Sequence, residues 1–229
     1  MNYLKIKSDN DRIYKENGTK ARSEFISDLV PERAERTEKF ILSEHIVPQT
    51  TIECILENSG RSIIALNFAN ALIAGGAYII GGNAQEESLC RASMLYYTIR
   101  DTNAFYLQNR RHMLPDYTDG MIFSENVDVI RDDSGKLLEK PMICSFITCP
   151  AVNRREAVLM PKDKLNGVME RRIEKIVSLA ASKSADIVIL GAFGCGAFGN
   201  KREDILPMFE RAVNAYGGDH SEYIFAIPQ

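Results

Sequence analysis

The chain has 229 residues, of which 45% are hydrophobic and 26% are charged. This composition is that of an ordinary globular protein, and a chain of this length can bury a sizeable core without disulfide or metal staples. The formal net charge of -3 excludes an overall basic field, so we expect no DNA partner, although a polyanion could still bind at a local site.

The five cysteines are scattered, odd in number and without a CxxC pair, and the three histidines lie far apart. This pattern is typical of free thiols in a reducing cytosol, not of a disulfide framework or a zinc site. The N-terminus has no apolar stretch of signal-peptide length, and no apolar run approaches the roughly 20 residues that span a bilayer. We therefore expect a cytoplasmic monomer with no membrane partner, and chemistry that uses no metal or other cofactor.

In chain order, residues 8–47 are polar with apolar positions at helical spacing, and they predict one or two helices packed on a core that comes later. Thr50 and Thr51 can cap a short helix that continues through Leu56. Residues 61–69, RSIIALNFA, are a short apolar run bounded by turn residues, which predicts a buried strand.

A glycine-rich stretch at 75–82 follows, and residues 85–100 have the apolar spacing of a helix. The elements predicted after it are strands at 121–131 and 141–149, a helix at 162–183, a strand at 186–193, a helix that follows Asn200 and continues through Tyr216, and a closing strand at 222–227. Helices that alternate with short apolar strands predict an α/β fold with a mostly parallel or mixed sheet. Because ligands bind beyond the carboxyl ends of such strands, we expect the two glycine-rich loops to form one cleft.

The second glycine-rich loop, GCGAFG at 194–199, fits G-x-G-x-x-G directly after a strand and before a helix. Glycines let the backbone approach an anion, and free N–H groups at a helix start donate to it. A Rossmann half-domain does not fit, because only about thirty residues remain and Asp219 precedes the last strand instead of ending it. The loop predicts a phosphate or diphosphate site, with a tight ligand-free turn as the alternative.

The first glycine-rich stretch leads into Gln85-Glu86-Glu87 at a helix start. Carboxylates in a first helical turn are stabilised by the helix dipole, so the triplet by itself is equally explained as a helix start. Adjacent glutamates on a helix point about 100° apart, so they cannot face each other across one scissile bond. If the site is catalytic, one glutamate transfers the proton and the other positions the substrate. The dipole would lower the working pKa and desolvation would raise it.

Taken together, these blocks resemble the bacterial poly(ADP-ribose) glycohydrolases. The blocks that carry the resemblance keep the family's order and lie at 66–96, 124–141, 145–153, 188–200 and 225–227. The resemblance implies a single macrodomain-type domain, a three-layer α/β/α sandwich with a mixed central sheet and extra N-terminal helices. Residues 1–49 would be the helical extension and 50–229 the core, with ADP-ribose across the strand ends.

The resemblance also implies roles for the triplet. Glu87 would be the catalytic acid that protonates the departing ribose hydroxyl of an O-glycosidic bond, and its carboxylate would then activate water against an oxocarbenium-like centre. Glu86 would hold hydroxyls of the ribose being released, and Gln85 would help to orient the site.

Both loops would contact the ligand. The loop at 194–199 would cradle the diphosphate, Phe198 would pack against the distal ribose, and Gly75, Gly76 and Tyr78 would close the other wall. The ligand-binding residues implied by the resemblance are Asn70, Gly75, Gly76, Tyr78, Gln85, Gly194, Cys195, Gly196, Ala197, Phe198 and Gly199. The expected partner is ADP-ribose or poly(ADP-ribose), free or on modified proteins.

The first loop departs from the family pattern. Ile73 and Ala74 stand where bacterial members carry Asn-Pro, and Ala77 stands where the third consecutive glycine is usual. In that register a ribose-binding asparagine is missing; in another, Phe68-Ala69-Asn70 resembles the animal-type enzymes and Asn70 supplies the amide. An added methyl in place of a glycine that faces the ligand would narrow the site.

Two alternatives to the polymer hydrolase stay open. One is a non-catalytic reader of ADP-ribose, and the other is a hydrolase of mono-ADP-ribosyl linkages or of ADP-ribose-derived metabolites. Asn153 is a further candidate for ligand contact. The pairs Arg154-Arg155 and Arg171-Arg172 could meet polymer phosphates or be solvated surface charge.

Overall fold

A seven-stranded sheet organises the chain, as seen in a computed structural model that describes residues 2–229. Its strands are β1 (Arg22–Ile26), β2 (Ile46–Val47), β3 (Ile63–Phe68), β4 (Met121–Arg131), β5 (Leu137–Cys149), β6 (Ile187–Gly191) and β7 (Glu222–Ala226). The helices are α1 (Tyr3–Asn17), α2 (Thr51–Glu57), α3 (Gln85–Ala92), α4 (Leu95–Ile99), α5 (Asn103–His112), α6 (Lys162–Ser182) and α7 (Arg202–Tyr216). None of these helices is long and apolar enough to cross a membrane.

The strand order across the sheet is β1-β4-β5-β3-β6-β7-β2, with β3 in the middle. The strand β3 pairs in parallel with β5 and β6, and the parallel pairing continues through β7 to β2. The consecutive strands β4 and β5 pair antiparallel because a short turn joins them, whereas the parallel pairs need helical crossovers. The sheet is therefore mixed, as the sequence predicts.

The core has two parts, one on each face of the sheet. Ile64 and Leu66 of β3 pack on the face covered by α6 and α7, and Ile63 and Ala65 pack on the face covered by α2 to α5. This alternation is the period of a strand that is buried on both faces. The result is the predicted three-layer α/β/α sandwich.

The N-terminal segment corrects one prediction. Helix is confirmed only for α1, whereas 22–26 and 46–47 are strands at opposite edges of the sheet. Between them the chain is irregular except for a short 3-10 helix at Leu42–Glu44. Side chains of α7 hold this segment, as where the Phe40 N–H donates to Asn214 Oδ1 at 2.9 Å. Residues 1–49 are thus not a purely helical extension, because two of their segments complete the sheet.

A second correction concerns residues 85–100, which form two helices and not one. Ser93 is extended, with φ -140° and ψ 176°, and it forms a bridge with Val129 of β4. The Met94 N–H donates to the Asp128 carbonyl at 2.8 Å, so the sheet takes a donor that a continuous helix would use. The helix α5 was not among the predicted elements.

The buried side chain of Asn10 holds α1 against the rest of the molecule. Its Nδ2 donates to the Arg91 carbonyl at 2.9 Å and to the Tyr78 hydroxyl at 3.3 Å, and its Oδ1 accepts from Arg131 Nε at 2.9 Å. Asn10 is fully buried, so no water replaces these partners if the amide is lost.

We expect Asn10→Ala to lower the free energy of unfolding by about 2–4 kcal/mol, because it leaves buried polar groups without partners. Arg12→Ala on the same helix removes only exposed ion pairs with Asp9 and Glu16 and should cost less than about 1 kcal/mol. Urea unfolding of the two variants measures the difference. Equal, small losses would show that Asn10 does not anchor the helix.

Candidate active site

A cleft of about 390 Å³ lies beyond the carboxyl ends of the neighbouring strands β3 and β6. The residues that line it are Phe68, Ala69, Asn70, Ala84, Gln85, Glu86, Glu87, Ala151, Ala192, Gly194, Cys195, Gly196, Ala197, Phe198 and Arg202. The cleft thus brings the Gln85-Glu86-Glu87 triplet together with the glycine loop after β6. Among residues 2–229, no three His, Cys, Asp or Glu side chains are grouped as a metal site would require.

The carboxylate of Glu87 joins the first glycine-rich loop to the start of α3. One oxygen accepts the Ala77 N–H at 2.9 Å, and the other accepts the Ala84 N–H at 3.0 Å. The second bond is half of a capping box, whose other half is missing because Ala84 has no side-chain acceptor. The helix-start interpretation therefore accounts for one of the two contacts, and the contact with Ala77 goes beyond it.

Glu86 lies beside Glu87 and is only 3% exposed. Its carboxyl accepts the Asn70 N–H at 2.7 Å and Asn67 Nδ2 at 3.2 Å. Burial raises the pKa of Glu86 to about 8, against the lowering effect of the hydrogen bonds from Asn70 and Asn67, and repulsion by Glu87 adds to the rise. For Glu86, desolvation therefore outweighs the hydrogen bonds that favour the charged form.

Gly75 and Gly76 let the loop backbone lie close to the carboxyls of Glu86 and Glu87. Both residues have left-handed backbone, with φ of +67° and +55°. A Cβ on Gly76 would lie 2.5 Å from Glu87 Oε1 and 3.2 Å from Glu86 Oε2. Only glycine fits there without moving the carboxyls. These glycines support the carboxyls and do not line the cleft.

Tyr78 corrects the expectation that it closes a wall of the cleft. Its side chain is 1% exposed, and its hydroxyl accepts a hydrogen bond from Asn10 at 3.3 Å. The ring packs against Tyr96, with centroids 5.0 Å apart. Tyr78 is therefore a core residue that fixes the loop, and it is not positioned to touch a ligand.

Gln85 connects β3 to α3 through both ends of its amide. Its Oε1 accepts the Phe68 N–H at 2.9 Å, and its Nε2 donates to the Leu66 carbonyl at 2.8 Å and to Thr51 Oγ1 at 3.2 Å. The side chain borders the cleft, but protein groups occupy its hydrogen-bonding atoms. This geometry suits a residue that orients the site.

The loop's departures from the family pattern do not narrow the cleft. Ala74 packs against the buried cluster on the α2–α5 face, and the methyl of Ala77 points to Gly82. Asn70 lines the cleft; its Oδ1 accepts the N–H groups of Leu72 and Ile73 at 2.9 and 3.0 Å. Its Nδ2 makes no hydrogen bond to any residue of 2–229 and is free to donate to a ligand.

The second loop is held in shape by Asn200, which is 4% exposed. The Asn200 Nδ2 donates to the carbonyls of Val152 and Gly194 at 2.8 and 3.2 Å. Gly194 has φ +71°, and a Cβ there would lie 2.4 Å from Ala151 Cβ, so a larger residue is excluded. At Gly196, by contrast, a Cβ would meet open space. The loop has a rigid base and an open crest, as an anion cradle requires.

Cys195 lies in this loop, and burial raises the pKa of its thiol to about 11. The thiol is therefore protonated at neutral pH, which does not suit a nucleophile. Its half-buried position in the cleft wall fits packing or ligand contact.

The sequence missed Tyr117, whose ring lies 6.1 Å from that of Phe198 between centroids. Tyr117 has φ +54°, and its carbonyl accepts a hydrogen bond from Arg172 at 3.2 Å.

Arg172 is fully buried and also donates to the Pro150 carbonyl at 2.9 Å, so it is neither a phosphate contact nor a solvated surface charge. Asn153 is buried and lies outside the cleft lining. No local sequence pattern signals Tyr117.

Comparison with known proteins gives a consistent result. Residues 3–132 match the family model described as microbial-type PARG, catalytic domain. The structure is similar to the poly(ADP-ribose) glycohydrolase from Thermomonospora curvata bound to the inhibitor ADP-HPD, with a TM-score of 0.81, 27% identity, and coverage of 99% of this chain and 92% of that one. It is also similar to the glycohydrolase from Deinococcus radiodurans in complex with ADP-ribose, with a TM-score of 0.73, 29% identity, and coverage of 80% and 76%. A search of curated proteins gave no match.

The raised pKa of Glu86 predicts how stability depends on pH. The folded state keeps this proton up to about pH 8, whereas the unfolded chain loses it near 4.5, so stability is full below 4.5 and falls as pH rises towards 8. Glu86→Gln cannot ionise and should remove this loss, which amounts to about 5 kcal/mol at most. Denaturant unfolding near pH 5 and pH 8 measures it.

Glu139→Gln is the matched control, because Glu139 is exposed and its loss leaves the buried carboxyl in place. It should keep the pH dependence of the unsubstituted protein. If Glu86→Gln kept that dependence as well, Glu86 would not hold its proton in the folded state.

Proposed function

This chain belongs to the microbial-type PARG catalytic domain family, and we propose that it hydrolyses the ribose–ribose O-glycosidic bond of poly(ADP-ribose) and releases ADP-ribose, with Glu87 as the acid and base. The observation that carries the proposal is one cleft that joins the carboxyls of Glu86 and Glu87 to the glycine loop at 194–199. Such a cleft offers proton transfer at one wall and anion binding at another.

The chemistry needs one carboxyl that first gives and then takes a proton. Glu87 donates its proton to the departing ribose oxygen while the bond from that oxygen to the anomeric carbon breaks. A water molecule then adds to the oxocarbenium-like carbon, and the Glu87 carboxylate takes the proton that the water loses. The two backbone N–H groups on its oxygens fix the carboxylate in place, which favours a defined geometry at the reacting atoms.

Glu86 suits the second role, which is to hold hydroxyls of the ribose being released. With a pKa of about 8 it is mostly neutral at physiological pH, so it can both donate to and accept from a sugar hydroxyl. A neutral Glu86 also avoids placing two carboxylate charges side by side in a buried site.

The remaining subsites follow from the cleft walls. The open crest at Gly196 and the adjoining start of α7 support diphosphate binding. Phe198 offers an apolar face to the distal ribose, and the Nδ2 of Asn70 offers a donor near Glu86. The alternative of a non-catalytic ADP-ribose reader was based in part on Ala74 and Ala77. Since the methyls of both residues point away from the cleft, this argument for a non-catalytic protein is weakened.

The finer expectations stay predictions. They are a cytoplasmic location, a monomeric state, no binding of DNA, and a preference for the polymer over mono-ADP-ribosyl groups or ADP-ribose-derived metabolites. A turnover panel of polymer, mono-ADP-ribosylated protein and O-acetyl-ADP-ribose would rank the substrates.

Replacing Glu87 tests the mechanism. We expect Glu87→Ala to lower the release of ADP-ribose from labelled polymer by at least about 100-fold, because proton transfer is lost. The affinity for ADP-ribose, measured by calorimetry, should change much less. Glu139→Ala removes an exposed carboxylate of the same type and should keep full turnover. Equal turnover by the unsubstituted protein and Glu87→Ala would make the assignment wrong.

The glycine behind the carboxyls gives an independent test. Gly76→Ala should reduce turnover by about 10-fold or more, because its methyl would displace Glu87 and because the left-handed backbone is strained for alanine. Its neighbour provides the control: Ala77→Gly should change turnover by less than about threefold, since its methyl faces Gly82. A large effect of Ala77→Gly and none of Gly76→Ala would contradict this account of the loop.

A further inference from the structure

Arg202 lies where two cavities meet, and it belongs to neither the Gln85-Glu86-Glu87 triplet nor the glycine loop at 194–199. It is the first residue of α7, and it lines both the active-site cleft and an adjoining cavity of about 320 Å³. The two cavities also share Phe68, Ala84, Gln85 and Ala192, so they form one continuous trough. The far part of the trough is lined by Thr50, Thr51 and residues 226–228. A ligand that extends from the carboxyls into this far part must pass Arg202.

Arg202 is also the basic side chain of the cleft lining, and it has no protein partner among residues 2–229. Arg154 donates to Asn200 Oδ1 at 2.8 Å and to Asn166 Oδ1 at 2.5 Å, and Lys201 pairs with Glu203 at 3.2 Å. Arg155 lies over Gly199 and does not line the cleft. Within residues 2–229, Arg202 makes no side-chain hydrogen bond or ion pair.

The guanidinium lies close to the glycine loop. Arg202 lines the same cleft as Cys195 and Gly196 of that loop. An unpaired cation beside an open anion cradle is a strong donor for phosphate oxygens, since a guanidinium bonds them with charge assistance. The carboxyls of Glu86 and Glu87 lie elsewhere on the cleft lining, so the site has a cationic and an acidic part.

We propose that Arg202 binds a phosphate oxygen of the ADP-ribose diphosphate and thereby fixes which way the ligand lies along the trough. The inference rests on the proposed function for the identity of the ligand. It adds a specificity-determining side chain to a subsite that is otherwise formed by backbone, and it depends on the charge of Arg202.

Binding measurements test the inference without any turnover. Arg202→Met keeps the aliphatic stem and removes the charge, and calorimetry should show ADP-ribose binding weakened by about 10- to 100-fold. Arg202→Lys should keep part of the affinity. The affinity for adenosine, which has no phosphate, should stay within about twofold. The effect on ADP-ribose should shrink in high salt, because the partly exposed charge is screened.

Lys201→Met is the matched control, because it removes a neighbouring charge that is already paired and does not line the trough. It should bind ADP-ribose like the unsubstituted protein. Unchanged ADP-ribose affinity in Arg202→Met, or an equal loss for adenosine, would overturn the inference alone. No ADP-ribose binding by the unsubstituted protein would overturn the proposed function and this inference with it.

Discussion

The site depends on the bridge that the Glu87 carboxylate makes between two backbone N–H groups. One belongs to Ala77 in the glycine-rich loop and the other to Ala84 at the start of α3. The bridge closes a loop that has little regular structure of its own, and it fixes the side chain to which we assign the proton transfer. The same contact leaves no room for a Cβ at Gly76, so only glycine fits there. Loop shape and catalytic geometry are therefore one constraint.

A second constraint acts on charge. Glu86 is enclosed between β3 and α3, and its hydrogen bonds from Asn70 and Asn67 do not offset the cost of burying a charge. The proton that it keeps near neutral pH lets a second carboxyl lie beside Glu87 without full repulsion. The two glutamates are adjacent in sequence and share one helical turn, and burial keeps a proton on Glu86. As a consequence, the folded state loses stability as the pH rises towards 8, where Glu86 would ionise.

Local patterns were sufficient for the central strands, the helices α2, α6 and α7, and the meeting of the two loops, because apolar periodicity and turn residues encode them directly. Local patterns were insufficient where a residue distant in sequence determines the secondary structure or the burial of a side chain. The segment 22–26 is a strand only because β4 pairs with it, and α3 ends at Ala92 because the sheet bonds to the residues that follow. Tyr78 looked like a ligand contact in a glycine-rich loop, but a hydrogen bond from Asn10 and the surrounding core bury it. Arg202 lines the cleft, and Tyr117 packs near Phe198, through topology alone.

The segment Gly75-Gly76-Ala77, which stands where the family usually has three consecutive glycines, shows that a difference in sequence need not change the geometry of the site. A glycine is required where the backbone is left-handed or where a Cβ would collide, as at Gly75 and Gly76. Ala77 has φ -90°, which any residue can adopt, and its methyl contacts Gly82 inside the loop. Ala74 likewise turns its methyl to the core. The positions that depart from the family pattern are thus those where the fold does not demand glycine, and the positions in contact with the carboxyls are unchanged. The loop still supports Glu87 because the constraint lies in contact with that side chain, not in the number of consecutive glycines.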